Sequence, residues 1–185
     1  MQADPVYEAL RNVTTRLRDL GIPHAVIGGM ALVAHGYRRT TEDVDILVAP
    51  DALAAIHTSL VGLGYRPLVE GGRNLRDVKT GVRIEFVITG QFPGDGKPKP
   101  VSFPEPLESS VEIDGIRFVD LPKLIELKLA SGMTNPGRLR DLADVQELIR
   151  SLHLGDDFAH RLNPYVRETF FRLARALQSK DDAGG

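Results

Sequence analysis

The sequence predicts an α/β (α+β) fold to about residue 119 and a helical portion over residues 120–180. Up to residue 119, short apolar runs bounded by glycine and proline alternate with segments whose apolar residues recur every three or four positions. After residue 120 only the helical spacing remains. This order is typical of a mixed sheet flanked by helices, with a C-terminal helical bundle packed on that core.

Helices and short strands alternate over the first 63 residues. The first predicted helix ends at Gly21, and its apolar face comprises Tyr7, Leu10, Val13, Leu17 and Leu20. Strands are predicted over residues 24–27 and 43–48, separated by a Gly28-Gly29 turn and a short helix over 30–35. A helix over 51–63 follows, with an apolar stripe formed by Leu53, Ile56, Leu60 and Leu63.

Three further strands, a loop and a hairpin are predicted next. The strands span residues 65–69, 75–79 and 82–88, and the last two are joined by a Thr80-Gly81 turn. The segment 90–106 is too rich in proline and glycine for regular structure, so we expect a surface loop or lid, or a flexible connector. Residues 111–119 form a hairpin with an Asp114-Gly115 turn.

Helices account for the remainder of the chain. They are predicted over residues 121–130, 138–152 and 164–177, with a frayed end after Gln178. Asp120 and Asn163 are suited to cap the first and last of these helices. The middle helix has a core face that comprises Leu142, Val145, Leu148 and Ile149.

Composition narrows the class of protein. The chain has 185 residues, of which 42% are hydrophobic, so it can bury a sizeable core. The formal net charge of −2 gives no global basic footprint for nucleic acid, which would need a local patch. The absence of cysteine excludes disulfides and thiolate chemistry. No signal peptide or membrane span is evident, so we expect a soluble cytoplasmic protein without a membrane partner.

Three carboxylates carry the candidate chemistry. Asp43 and Asp45 are two residues apart on one strand, so they point to the same face. Glu85 lies in another apolar strand, and if the two strands are neighbours all three converge. Oxygen donors of this kind suit Mg²⁺ (or Mn²⁺) together with substrate phosphates. Alternatively, Glu85 pairs with Arg83 or Arg76 as solvated charge.

The turn at Gly28 and Gly29 supplies a candidate phosphate site. It joins a strand to a helix, so backbone N–H groups face outward at the positive end of the helix dipole. The missing Cβ atoms let phosphate oxygens approach closely.

This arrangement resembles the polymerase-β-like nucleotidyltransferase superfamily. The matching residues are Gly28-Gly29, the Asp43-Val44-Asp45 strand and Glu85. The pattern Arg39-x-Thr41-x-Asp43-x-Asp45 is similar to the AbiEii-type toxin branch, which also has a helical lysine and an Arg-Asp-x-x-Asp helix. Here those are Lys128 and the segment 140–144, so the resemblance spans about residues 22–152. Two departures are Glu at 85, where Asp is commoner, and Met30, where a serine can follow the glycine.

The resemblance implies transfer of a nucleoside monophosphate from an NTP to a hydroxyl acceptor, with release of pyrophosphate. It implies that Asp43, Asp45 and Glu85 hold the metals and that Gly28 and Gly29 cradle phosphates. Lys128 would contact the triphosphate. The other residues that it assigns to nucleotide binding are Arg39, Thr41, Arg140 and Asp141.

The sequence leaves three hypotheses on the acceptor and the function. One hypothesis is the toxin of a toxin–antitoxin pair, acting on tRNA or protein and bound by a cognate antitoxin. A second is an enzyme that modifies a small hydroxylated molecule such as an aminoglycoside, and a third is a non-catalytic nucleotide-binding module. Several residues also have structural interpretations: Arg39 as loop charge, Lys128 as a solvated lysine, and Arg140 with Asp144 as a helix-surface pair.

Overall fold

The computed structural model describes residues 4–181, which form two compact units. The first comprises the residues up to Ala34, then Arg38–Thr89 and Pro104–Val119. The second comprises His35–Tyr37, Gly90–Phe103 and the residues from Asp120 onward. The sequence predictions for Met1–Ala3 and for residues 182–185 lie outside the described residues.

The first unit is a seven-stranded mixed sheet with three helices. The helices are α1 (Pro5–Asp19), α2 (Gly28–Ala34) and α3 (Ala52–Leu60). The strands are β1 (His24–Ile27), β2 (Asp43–Val48), β3 (Tyr65–Pro67), β4 (Leu75–Asp77), β5 (Arg83–Ile88), β6 (Ser110–Ile113) and β7 (Ile116–Val119). Their spatial order is β3-β4-β5-β2-β1-β7-β6. This architecture confirms the predicted fold class.

The centre of the sheet is formed by β5, β2 and β1. β2 pairs parallel with β5 and antiparallel with β1, and β1 pairs parallel with β7. Val44, Ile46, Ile84 and Phe86 on one face of β2 and β5 are buried almost completely. On the other face Leu47 is also fully buried, whereas Asp43 and Asp45 are only half-buried. On this face of β2 the sheet is therefore more open at the carboxylates than at Leu47.

Several apolar residues assigned to the core from spacing alone are exposed. Tyr7 is 43% exposed because α1 packs through Val6, Ala9, Leu10, Val13 and Leu17, and Leu20 is 44% exposed at the end of that helix. Leu63 is 60% exposed because extended backbone at Val61 ends α3 at Leu60. Strands β3 and β4 are shorter than predicted, and Val69 lies beyond β3 at 70% exposure.

The second unit is helical. Its elements are α4 (Leu121–Thr134), a 3₁₀ turn over Pro136–Arg138, α5 (Leu139–Leu152), α6 (Asp156–Ala159) and α7 (Pro164–Asp181). The Asp120 carboxylate caps α4 by accepting from the Lys123 N–H, as predicted. α4 runs past the predicted end at Ala130 to Thr134, just before Asn135 and Pro136, and Gly132 lets Leu142 of α5 approach it closely. Leu142, which was predicted to lie on the core face of α5, is only half-buried. The last helix, α7, extends past its predicted end at Leu177 to Asp181.

The proline- and glycine-rich segment is irregular, as predicted, but it is held in place within the second unit. The buried Lys99 ammonium donates to the carbonyls of Pro93 and Lys97 and to the Asp95 carboxylate, at 2.6–2.8 Å. The segment also contacts α4, because Asp95 N–H donates to the Thr134 hydroxyl and the Asn135 amide donates to the Gly94 carbonyl. These contacts argue against a flexible connector.

Gly94→Ala is expected to destabilise the protein more than Gly96→Ala. Both glycines have positive φ, 76° and 72°, so both substitutions carry the same backbone cost. A Cβ at position 94 would overlap the Thr134 hydroxyl and lie 2.8 Å from the Ser131 carbonyl oxygen, whereas at 96 it would meet nothing within 4 Å. Urea unfolding should give an excess loss of about 1–3 kcal/mol for the position 94 variant. Equal losses would contradict this docking of the segment on α4.

Candidate active site

Strand register brings the three predicted carboxylates to one face of the sheet. Asp45 of β2 lies directly beside Glu85 of β5, and Asp43 lies beside Arg83. Because side chains alternate along a strand, Asp43, Asp45 and Glu85 project from the same face. The convergence that depended on β2 and β5 being neighbours is therefore present.

Gly28 and Gly29 make room for the side chains of this face. A Cβ at Gly28 would overlap the Asp45 carboxylate, and Gly28 has φ of +68°, which disfavours any other residue. A Cβ at Gly29 would collide with the Thr41 side chain. The glycine turn therefore lies directly against Asp45, where strand β1 becomes helix α2.

Arg83 is the cation of the site. Its guanidinium forms an ion pair with Glu85 and lies 3.8 Å from Asp43 Oδ1. The alternative in which Glu85 pairs with Arg83 is thus observed. Glu85 keeps 31% of its side-chain surface exposed, and Asp43 keeps 36%, so both remain open to a ligand.

The donor set fits a divalent metal in chemistry and register, although the side chains do not form a metal cluster. Within residues 4–181 no group of three or more His, Asp or Glu side chains is placed to hold an ion. Arg83 supplies the positive charge between Asp43 and Glu85 instead. Three hard oxygen donors on adjoining strands are what Mg²⁺ prefers, and the Arg83 side chain that now pairs with Glu85 is 47% exposed.

Thr41 and Arg39 precede β2 and were both predicted to bind nucleotide. The Thr41 hydroxyl donates to the Asp43 carbonyl at 3.3 Å and packs on Gly29, so it braces the turn against the strand. Arg39 is half-buried in the same connection. Their position, next to both the glycine turn and the aspartate strand, is consistent with the predicted role.

The predicted nucleotide-binding residues of the second unit form a buried ionic network. Lys128 of α4 donates to Asp141 Oδ1 and Asp144 Oδ2 of α5, both at 2.8 Å. All three residues are at most 8% exposed. Ser131 and Arg138 donate to the other oxygen of Asp141. Lys128 is therefore not the solvated lysine of the structural interpretation, and its ammonium binds carboxylates within its own unit.

The same network sets the charge state of Asp141. Burial raises the pKa of this carboxyl, but attraction to Lys128 and hydrogen bonds from Lys128 and Ser131 outweigh burial and hold the pKa below its ordinary value. Arg140 is exposed, and the Asp144 carboxylate turns to Lys128. The sequence missed Ser131 and Arg138, although Arg138 stands three residues before Asp141, a spacing that favours a helical ion pair.

A second feature missed from sequence is a row of arginines beside the carboxylates. Arg66 of β3 is the register partner of Arg76 of β4, which is the partner of Arg83 of β5. Register partners share a face, so this arginine row lies on the same face as Asp43 and Glu85. Strands are about 4.8 Å apart, so the row extends about 10 Å across the sheet.

Comparison with known proteins places the whole chain in one family. Residues 1–179 match the model of a family described as uncharacterised nucleotidyltransferases. The chain belongs to this family. It is a nucleotidyltransferase and hence a transferase, as the resemblance implied, whereas membership of the AbiEii-type branch stays a prediction.

Several solved structures share the fold of this one. The antibiotic-resistance factor ANT(2″)-Ia, crystallised with adenylyl-2″-tobramycin, is 15% identical with a TM-score of 0.56, over 94% of this chain and 97% of that chain. An antigenic nucleotidyltransferase-like protein from Paracoccidioides brasiliensis is 15% identical with a TM-score of 0.56, over 100% and 92%. JHP933 from Helicobacter pylori is 16% identical with a TM-score of 0.52, over 96% and 94%.

Two further findings concern curated relatives and membrane-spanning helices. No curated protein matches the chain. Among residues 4–181, none of the helices of this nucleotidyltransferase is long and apolar enough to cross a membrane.

Lys128→Met is expected to cost about 3–5 kcal/mol of unfolding free energy, because it leaves two carboxylates buried without their cation. The exposed Lys79, which pairs with Glu8, provides the matched control: Lys79→Met should change stability little. Guanidinium unfolding at neutral pH measures both. At acid pH the gap should narrow, since stability from a lowered Asp141 pKa is present above the unfolded value and is lost as pH falls through the folded one. A small loss for Lys128→Met at neutral pH would contradict a structural role for the network.

Proposed function

We propose that this nucleotidyltransferase transfers a nucleoside monophosphate from an NTP to a hydroxyl of RNA, with a divalent cation, Mg²⁺ or Mn²⁺, held by Asp43, Asp45 and Glu85. The observation that carries the proposal is the register of β2 and β5, which sets Asp45 beside Glu85, while the missing Cβ of Gly28 leaves the room that the Asp45 carboxylate occupies. In the reaction the acceptor oxygen bonds to the α-phosphorus, and the bond from that phosphorus to the bridging oxygen breaks. Pyrophosphate leaves.

Different residues of the chain would bind the phosphates and accept the proton of the acceptor hydroxyl. The side chains of Asp45 and Thr41, and not phosphate oxygens, fill the space left by the missing Cβ atoms of Gly28 and Gly29. The phosphates would lie beside these side chains at the start of α2, whose N–H groups favour negative charge. The Glu85 carboxylate takes the proton of the acceptor hydroxyl once Arg83 has turned away. Arg83 then becomes available to the phosphates. A bound divalent cation supplies charge neutralisation at the triphosphate.

The arginine row favours RNA as the acceptor. Like charges placed directly opposite on a sheet repel, and Arg66 lies opposite Arg76, which lies opposite Arg83. Arg83 is offset by its ion pair with Glu85, and Arg76 Nη1 donates to the Gly81 carbonyl at 2.6 Å, so the repulsion is chiefly between Arg66 and Arg76. A polyanion lying over the row would relieve that repulsion, because phosphate contacts with arginine are charge-assisted and bidentate. A cationic drug would meet positive charge on this side of Glu85.

An aminoglycoside is the second candidate acceptor. Support comes from the fold shared with ANT(2″)-Ia over nearly the whole of both chains. In this case the carboxylates would bind both the metal and the amino groups of the acceptor. A toxin that acts on tRNA and is restrained by an antitoxin is a special case of the RNA proposal.

Asp45→Asn should lower nucleotide transfer at least about 100-fold, because it removes one metal-binding charge without changing the shape of the side chain. Each labelled NTP is incubated with Mg²⁺ and either total RNA, cell lysate protein or an aminoglycoside, and the labelled product is identified. Asp51→Asn is the control, since Asp51 is exposed at the start of α3 and makes no capping hydrogen bond. Label on the drug alone would overturn the RNA acceptor, and equal labelling by both variants would overturn the metal site.

Arg66→Gln/Arg76→Gln should weaken binding of a labelled RNA about ten-fold at physiological salt. It should also reduce the slope of log affinity against log salt by about 1.4, if each arginine contacts one phosphate of a single strand. The matched control is Arg172→Gln/Arg175→Gln, which removes the same charge from α7. Fluorescence anisotropy over a salt series measures both. If only the α7 variant loses affinity, the acceptor surface is α7 and the arginine row has no role in binding.

A further inference from the structure

A cavity of about 470 Å³ lies in the first unit at the start of strand β1. Its walls come from α1, from the α1–β1 connection and from the β6–β7 hairpin. The polar lining residues are Thr14, Arg18, His24, Glu112 and Arg117, and the apolar ones include Ile22, Leu107 and Ile116. This volume falls in the range of small-molecule sites. We call it the β1 cavity.

The β1 cavity lies away from the carboxylates. β1 runs from His24, in the cavity wall, to Ile27, the register partner of Asp45. Three residues of strand separate the two ends, which is about 10 Å. None of the residues assigned to the nucleotide site lines the cavity, so the proposed function does not account for its arginines.

The cations of the cavity are loosely held by the protein. Arg18 Nη1 donates to the Gly115 carbonyl at 3.5 Å, and Arg117 Nη1 donates to the Ser110 hydroxyl at 3.3 Å. Arg117 Nη2 is 3.7 Å from Glu112. Charge-assisted hydrogen bonds are normally 2.7–2.9 Å long, so both guanidinium groups can exchange these contacts for stronger ones to an anion.

His24 is a third side chain of the cavity that can carry positive charge, and a bound anion would favour its protonated form. Its Nδ1 lies 2.8 Å from the Ile22 carbonyl, which fixes the ring in the wall. Burial, together with the charges of Arg117 and Arg18, lowers the pKa of His24 below its ordinary value, although the hydrogen bond to Ile22 acts in the opposite direction. The charged groups that act on the ring are Arg18 from α1 and Arg117 from the hairpin, and Glu112 of the hairpin lines the same cavity. An anion placed among them would raise the pKa and draw a proton onto the ring.

We propose that the β1 cavity is a binding site for a small organic anion, with its phosphate or carboxylate head between Arg18 and Arg117 and its apolar body against Ile22, Leu107 and Ile116. The pairing of two guanidinium groups with an apolar wall favours such a ligand over a bare inorganic ion. Glu112 lies at the same wall and selects against a second negative charge on the ligand body.

Benzenesulfonate is the probe, because its charge is constant across the pH range of interest, and benzenesulfonamide is its neutral counterpart. Binding is followed by the NMR shift of the His24 ring and by calorimetry. The sulfonate should bind at least ten-fold more tightly than the sulfonamide. Arg18→Gln and Arg117→Gln should each weaken it about ten-fold. Arg16→Gln, on the same helix but outside the cavity wall, should weaken it less than two-fold.

The pH series and the remaining probes decide the outcome. Affinity for the sulfonate should rise as pH falls from about 7.5 to about 5.5, and His24→Asn should remove this rise. Equal binding of sulfonate and sulfonamide, or no saturation by about 10 mM, overturns the proposal. Inorganic phosphate that binds as tightly as the sulfonate overturns the role of the apolar wall. Retained binding in Asp45→Asn supports a site separate from the nucleotide site.

Discussion

The site depends on one strand pairing, the parallel register of β2 with β5. It sets Asp45 directly beside Glu85, with Asp43 two residues away on the same face. Like charges at such spacing destabilise a sheet, so a cation beside them stabilises this register. In the structure the cation is Arg83, and in the proposed reaction a divalent metal takes its place. The rest of the fold keeps the two strands central and buries their opposite face in the core.

The second constraint is steric and is set by Gly28. Its positive φ turns the chain from β1 into α2, and its missing Cβ leaves the volume that the Asp45 carboxylate occupies. An alanine at position 28 would have an unfavourable positive φ, and its Cβ would overlap the Asp45 carboxylate. The same gap at Gly28 therefore serves both the turn and the Asp45 carboxylate.

Sequence patterns located these two features because they are local. The alternation in Asp43-Val44-Asp45 and the Gly28-Gly29 turn each involve neighbouring residues, and the periodicity of apolar residues identified every strand of the sheet. Pairings between distant strands are not local, so the arginine row, made by Arg66, Arg76 and Arg83 on three strands, was not predicted. The same holds for Lys128, whose carboxylate partners lie 13 and 16 residues away. Tyr7 and Leu63 were misplaced because spacing alone does not show where a helix ends or which side the core covers.

The two proposed sites at the ends of β1 would lie about 10 Å apart in one sheet, which is close enough for their charges to influence each other. At the Gly28 end, positive charge comes from Arg83, carboxylates are in excess, and the proposed metal would add further positive charge. At the His24 end, arginine side chains supply the charge and one glutamate opposes them. Charges separated by about 10 Å across a buried strand are screened less than surface charges, so an anion at one end would still be felt at the other. An anion bound beside His24 therefore favours positive charge at the carboxylate end, which is the condition for holding a metal there.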